Sequence, residues 1–107
     1  ESSAIACQEA FGPVVIIESY EDFDRVIEQV NHSRFGLQAG IFTKDIHRIF
    51  KAAQDIAVGG LMVNEIPTFR VDNMPYGGIK DSGFGREGIK YAIQEMTEEK
   101  VVVFDLG

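Results

Sequence analysis

One cysteine, Cys7, is all the thiol that this 107-residue chain contains. A single sulfur excludes an intrachain disulfide framework and every multi-cysteine metal motif. The two histidines, His32 and His47, stand fifteen positions apart with no ligand partner at local spacing, so no metal site is expected. Long apolar runs are missing as well. No stretch approaches the roughly eighteen residues of a membrane span, and no basic segment followed by an apolar run opens the chain. Neither a membrane partner nor a secretory signal is expected, which leaves the cytoplasm as the default location. Basic charge is scarce: 10 Lys and Arg face 17 Asp and Glu, a net charge of −7. The nearest approach to a basic patch, Lys80, Arg86 and Lys90, is interleaved with Asp81 and Glu87. A surface of that sign repels phosphate backbones, and nucleic acid is not an expected partner.

What is present suits a folded protein. With 45% hydrophobic and 25% charged residues, the chain resembles neither a disordered nor a low-complexity segment. Its length allows one domain or part of one, and falls short of most cofactor-dependent enzymes.

The order of elements is legible from periodicity. Val14–Tyr20, VVIIESY, is a continuous β-branched run suited to a strand buried on both faces. In EDFDRVIEQVNHSR, Phe23, Val26, Ile27 and Val30 recur at three and four, one helical stripe, with Glu21 and Asp22 at its positive end. Asn31–Gly36 supplies the stop. Leu37–Thr43 reads as a second strand. A second helix follows with Ile46, Ile49, Phe50, Ala53, Ile56 and Ala57 as its buried stripe and Asp45 or Thr43 as its cap. Gly59-Gly60 breaks it, and Leu61–Glu65 is a third strand. Helical crossovers between short buried strands predict an α/β, three-layer fold with a mostly parallel sheet. A loop of about twenty residues comes next, carrying Gly77, Gly78, Gly83 and Gly85. Ile89, Ala92, Ile93 and Met96 then mark a last helix, and KVVVFDL a last strand, placed either to complete this sheet or to add to an edge elsewhere. No internal repeat is present.

From the residues alone, little chemistry stands out. YGGIKDSGFGREG has the spacing of neither a dinucleotide fingerprint nor a P-loop, and reads as a loop folded tightly over neighbouring backbone. Cys7 lacks an oriented histidine and acid, and no helix starts directly after it; it reads as a structural thiol, buried or semi-exposed. His32 and His47 read as capping or surface residues. Glu9, in EAFGPVV, can engage both hydroxyls of a cis-diol while Phe11 packs on a planar ring, but composition and spacing favour a solvated loop carboxylate.

The order EAFGPVV, AGIFTKD, GGLMVNE, MPYGGIKDSGFGREG and YAIQEMTEEKVVVF resembles the C-terminal part of the aldehyde dehydrogenase superfamily, NAD(P)-dependent enzymes that oxidise aldehydes to acids. The resemblance covers nearly all of the chain and starts it just ahead of the EXFGP motif. It implies that Glu9 binds the nicotinamide ribose hydroxyls and that Phe11 packs beside them. It implies that Tyr76 lines the aldehyde entrance, with Phe69 a weaker candidate for that wall. Asn64 would end the strand leading to the substrate-side loop, and Arg70 would contact an anionic substrate group, although a structural arginine is an equal reading. The wording PTFRVDNMPYGG resembles branches acting on small hydroxy or phosphorylated aldehydes. Residues 1–98 would belong to the catalytic domain and 99–107 to an oligomerisation strand, making a homo-oligomer through Val101–Phe104.

The family's mechanism runs through a cysteine thiohemiacetal, hydride transfer and thioester hydrolysis. Neither that cysteine motif, nor the general-base glutamate motif, nor the dinucleotide domain stands in this sequence, and Cys7 precedes EAFGP too closely to be the nucleophile. The expectation is a fragment with no catalytic residue of its own and no tight hold on NAD or NADP. The alternatives are a stand-alone structural or interaction module assembling through its terminal strand, and a small cysteine hydrolase.

Overall fold

The computed structural model describes residues 4–107. A short helix, α1 (Ala4–Cys7), opens it, and residues 8–22 follow with neither helix nor strand. α2 (Phe23–Asn31) starts where Asp22 takes extended angles and its carboxylate accepts from the N–H groups of Asp24 and Arg25. That satisfies two of the donors a helix start leaves unpaired. β1 (Phe35–Gly36) and β2 (Gln38–Ile41) come next, and α3 (Ile46–Asp55) begins at Asp45, which caps His47 and Arg48 in the same way. β3 (Gly60–Val63), β4 (Ile79–Lys80) and α4 (Ile89–Met96) complete the order.

β2 and β3 pair in parallel, Gln38 opposite Gly60 through Ile41 opposite Val63, with α3 as their crossover. α2 lies beside α3 and runs in the same direction. Near its start, the Phe23 ring sits 5.4 Å from the Arg48 guanidinium, and Lys51 bridges Asp24 at 3.3 Å and Asp55 at 2.8 Å. At its end, the Asn31 amide donates to the Asp55 carbonyl and accepts from the Ala57 N–H, each at 2.7 Å. The hydrogen bond to Asp55, and after it the one to Asp24, raises the Lys51 pKa above the ordinary lysine value of 10.5.

The long loop is cross-braced. β4 pairs antiparallel with β1, Phe35 opposite Lys80 and Gly36 opposite Ile79. Lys80 sits in the left-handed region (φ 55°), and its ammonium donates to the carbonyls of Asn31 (2.9 Å) and Ser33 (3.0 Å), just past the end of α2. Ser82 Oγ accepts from the Gly36 N–H at 2.9 Å, and Arg34 donates to Asp81 at 2.7 Å. Arg86 donates to the carbonyls of Gly78 and Gly85. Main chain meets main chain where Gly59 lies against Gly77, leaving no room for a Cβ.

Several expectations are corrected. The strands are one parallel and one antiparallel pair, so the described residues do not form one mostly parallel sheet. Val14–Tyr20 and Lys100–Leu106 form no strand and pair with none. Both have strand propensity, yet a strand needs an edge to bond to, and none among the described residues pairs with them. The α3 stripe is also turned: Ala52 is the fully buried residue, whereas Ile46 and Phe50 are 54% and 64% exposed. Ile56 and Ala57 lie beyond the helix. Cys7 is exposed rather than buried.

Only two hydrophobic side chains, Ile27 and Ala52, are buried among the described residues. The radius of gyration is 18.8 Å and the extents are 71 × 33 × 22 Å, against about 13 Å for a compact domain of this length. The accessible surface is 9188 Å², where a compact chain of this mass exposes roughly 6,000 Å². The apolar arms Val14–Ile17 and Val101–Phe104 belong to this excess, every residue of both being exposed.

Candidate functional site

Two clefts adjoin the braced loop. The larger, about 1240 Å³ and open, is lined by Cys7 and Glu9 from the N-terminal arm, by His32 and Phe35 after α2, and by Gln38 and Ser82. The smaller, about 450 Å³, is lined by Tyr76, Gly78, Phe84, Arg86 and Glu95. Leu37 and Ser82 border both.

Glu9 faces the first cleft as a solvated carboxylate. Phe11, two residues on, does not line it; its ring is 96% exposed. Gly12 and Pro13 follow, and with no strand pairing behind them the arm leaves both side chains open to solvent. An exposed carboxylate can accept from the two hydroxyls of a cis-diol and an uncovered ring can pack on a planar group, but the two side chains do not share a cleft.

Tyr76 borders the second cleft, held by a two-way backbone pair with Glu87: each N–H donates to the other's carbonyl. The Arg70 guanidinium lies 4.3 Å from the centre of the Tyr76 ring and 3.4 Å from the Glu87 carboxylate. Three residues far apart in sequence therefore form one cluster. Phe69, next before Arg70 in the chain, is exposed, its N–H donating to the Ile66 carbonyl. Asn64 sits at φ 56° just past β3, where its N–H donates to Ile41 and its side-chain oxygen accepts from the Thr43 N–H at 2.9 Å. It thus ties the end of β3 to the end of β2.

The structure joins Arg70 to Tyr76 and places Glu9 and Tyr76 on separate clefts. Phe69, Asn64, Phe11 and Arg70 line neither cleft. Sequence reasoning passed over Glu87, which meets Arg70 across seventeen positions of irregular chain where no periodicity pairs them. It also passed over Lys80 and Ser82, whose partners lie across the β1–β4 pair. No group of three or more His, Cys, Asp or Glu able to hold a metal ion is found among the described residues, and no helix is long and apolar enough to cross a membrane.

Comparison with known proteins gives these clefts a context. Residues 1–102 match the model of the aldehyde dehydrogenase family. The chain is 58% identical over 99 residues to a 3-sulfolactaldehyde dehydrogenase of Priestia aryabhattai, covering 92% of this chain and 21% of that protein. It is 48% identical over 103 residues to a lactaldehyde dehydrogenase of Methanococcus maripaludis, covering 96% and 22%. Among solved structures, aldehyde dehydrogenase 21 of Physcomitrella patens, in complex with the reaction product succinate, superposes with a TM-score of 0.82 at 50% identity, over 88% of this chain and 20% of that one. A glyceraldehyde-3-phosphate dehydrogenase of Methanocaldococcus jannaschii, complexed with NADP, superposes at 0.66 and 46% identity, over 68% and 16%. The chain spans about a fifth of the length of the curated relatives it matches.

Proposed function

This chain belongs to the aldehyde dehydrogenase family, and from that premise we propose that it is the C-terminal part of an NAD(P)-dependent enzyme that oxidises an aldehyde to a carboxylic acid, and that it is inactive alone. The observation that carries the reading is the open apolar surface: a family chain whose described residues bury only two hydrophobic side chains, Ile27 and Ala52, lacks a core of its own, and the rest of a larger enzyme supplies the missing cover.

Within that enzyme residues 1–98 complete the catalytic domain, and the run Val14–Tyr20 becomes a strand of its sheet. Residues 99–107 form an oligomerisation strand, with Val101–Phe104 pairing to a second copy. Glu9 holds the ribose hydroxyls of NAD or NADP and Phe11 packs beside them, while the bound cofactor supplies the hydride acceptor. Tyr76 and Phe69 wall the aldehyde entrance, Asn64 fixes the strand end that leads to it, and Arg70 faces an acidic group of the substrate. The substrates in the names of the similar proteins, 3-sulfolactaldehyde, lactaldehyde and glyceraldehyde 3-phosphate, support a small hydroxylated or acid-bearing aldehyde. The parent's reaction through a cysteine thiohemiacetal draws its thiolate and general base from outside this chain.

Assaying the 107-residue chain with NAD and with NADP over a panel of small aldehydes tests the reading. No turnover is expected from the chain, and turnover is expected from the full-length enzyme that contains it. Robust turnover by the chain, abolished on replacing Cys7, would overturn the proposal.

The exposed Val101–Phe104 segment also favours a second reading, an interaction module that adds this strand to a partner sheet. Sedimentation equilibrium separates the two: a strictly monomeric chain at high concentration removes the module.

A further inference from the structure

The cluster of Arg70, Tyr76 and Glu87 is built from both sides by one residue. Glu87 pairs through its main chain with Tyr76, each N–H donating to the other's carbonyl, and through its carboxylate with Arg70 at 3.4 Å. Arg70 in turn lies 4.3 Å from the Tyr76 ring centre. A guanidinium carries five N–H donors in a fixed plane. One terminal nitrogen engages Glu87, the central carbon lies over the Tyr76 ring, and with 45% of the side chain exposed other donors remain open to solvent. An arginine stem left to itself samples many rotamers, and two anchors at different parts of the group remove most of that freedom.

We infer that Glu87 is a positioning residue: it holds the Arg70 guanidinium over Tyr76 so that the remaining donors meet a second acidic group, a carboxylate, sulfonate or phosphate, carried by the aldehyde. This rests on the proposed placement of Tyr76 and Arg70 at the substrate wall. Glu87 does not touch substrate; it acts through Arg70. The backbone pair to Tyr76 does not depend on the Glu87 side chain, so Glu87→Ala releases Arg70 while leaving Tyr76 in place.

Two measurements test this. In the full-length enzyme carrying isotope-labelled arginine, NMR of the Arg70 side chain reads the Tyr76 ring current directly: Glu87→Ala moves the Arg70 δ-methylene shifts toward random-coil values, and Glu87→Gln, which keeps an acceptor, restores part of the displacement. Unchanged shifts in Glu87→Ala overturn the inference. In the full-length enzyme, Arg70→Ala and Glu87→Ala each raise KM for glyceraldehyde 3-phosphate by roughly 3- to 10-fold with kcat nearly unchanged, and leave KM for neutral propanal within about 2-fold. The double variant is no worse than Arg70→Ala, because one residue acts through the other. Multiplying effects, equal effects on both aldehydes, or a loss confined to kcat overturn it. If the wild-type full-length enzyme oxidises neither aldehyde, the proposed substrate class fails on its own, and the NMR shifts decide the role of Glu87.

Discussion

Gly59 and Gly77 meet backbone to backbone: a side chain at Gly59 would collide with the Gly77 carbonyl, and the Gly59 N–H meanwhile donates to Gly36 at 3.0 Å. The start of β3, the end of β1 and the braced loop therefore converge where nothing larger than hydrogen fits. Gly59→Ala must push the loop away from β3, an overpacking cost of about 1–3 kcal/mol or more because carbonyl and backbone cannot rotate aside. Urea denaturation of the full-length enzyme is expected to show that loss; a midpoint equal to wild type would mean the loop yields without cost.

Asn31 ties the end of α2 to the segment leaving α3 with both ends of its amide. Asn31→Ala leaves the Asp55 carbonyl and the half-buried Ala57 N–H without these partners, a loss of about 1–3 kcal/mol. Asn31→Asp keeps an acceptor for Ala57 but sets a carboxylate oxygen against the Asp55 carbonyl, so it does not rescue. Denaturation midpoints of the two variants check the order, and a fully stable aspartate variant would contradict it.

Lys51 makes stability depend on pH at the alkaline end. Its pKa is raised by Asp55 and Asp24, so the folded state holds the proton more tightly than the unfolded one. The contribution is fully present below the ordinary value of 10.5 and is lost as pH rises through the higher folded value. Lys51→Met is expected to lower the denaturation midpoint at pH 8, with the gap to wild type shrinking as pH rises above 10.5. Because the group is exposed, added salt narrows the pH 8 gap. A gap that persists unchanged as pH rises above 10.5 would rule out charge as its origin.

Asp45 is the cap on α3, the crossover of the parallel pair. Asp45→Ala is expected to cost about 1 kcal/mol, and Asp45→Ser to recover most of it. Comparing the unfolding of the two variants is the check, with equal losses counting against a capping role.

Proposed assembly through the last segment makes a prediction for the full-length enzyme. Val103→Lys places a charge in the pairing strand, and sedimentation velocity is expected to show a smaller assembly than wild type. An unchanged assembly would locate the interface elsewhere.

The helices were legible because their information is local. Phe23, Val26 and Ile27 sit on one turn-to-turn stripe, and Asp22 and Asp45 stand where a helix start needs an acceptor. The parallel pair β2–β3 followed from two short apolar runs separated by a helix. What failed was whatever depends on a distant partner. Val14–Tyr20 has the composition of an interior strand, but composition cannot supply the neighbouring edge, and the α3 stripe could not reveal that its Phe50 is left mostly exposed. β1 and β4, two residues each, are too short to leave a periodic trace. In the candidate site, Glu9 and Tyr76 were singled out by resemblance to family motifs and each borders a cleft, whereas the Arg70–Tyr76–Glu87 cluster depends on a loop path that spacing does not encode.

The unpaired run Val14–Ile17 has consequences before any catalysis. Four β-branched side chains with no charge among them stand open on a backbone whose N–H and C=O groups are mostly unbonded. Such a segment templates another like it, and stacked copies would grow into a cross-β aggregate. In the proposed full-length enzyme, a neighbour that covers this run would act first as a guard on solubility, and the interval during synthesis between emergence of Val14 and its burial would be when the polypeptide is most exposed to self-association.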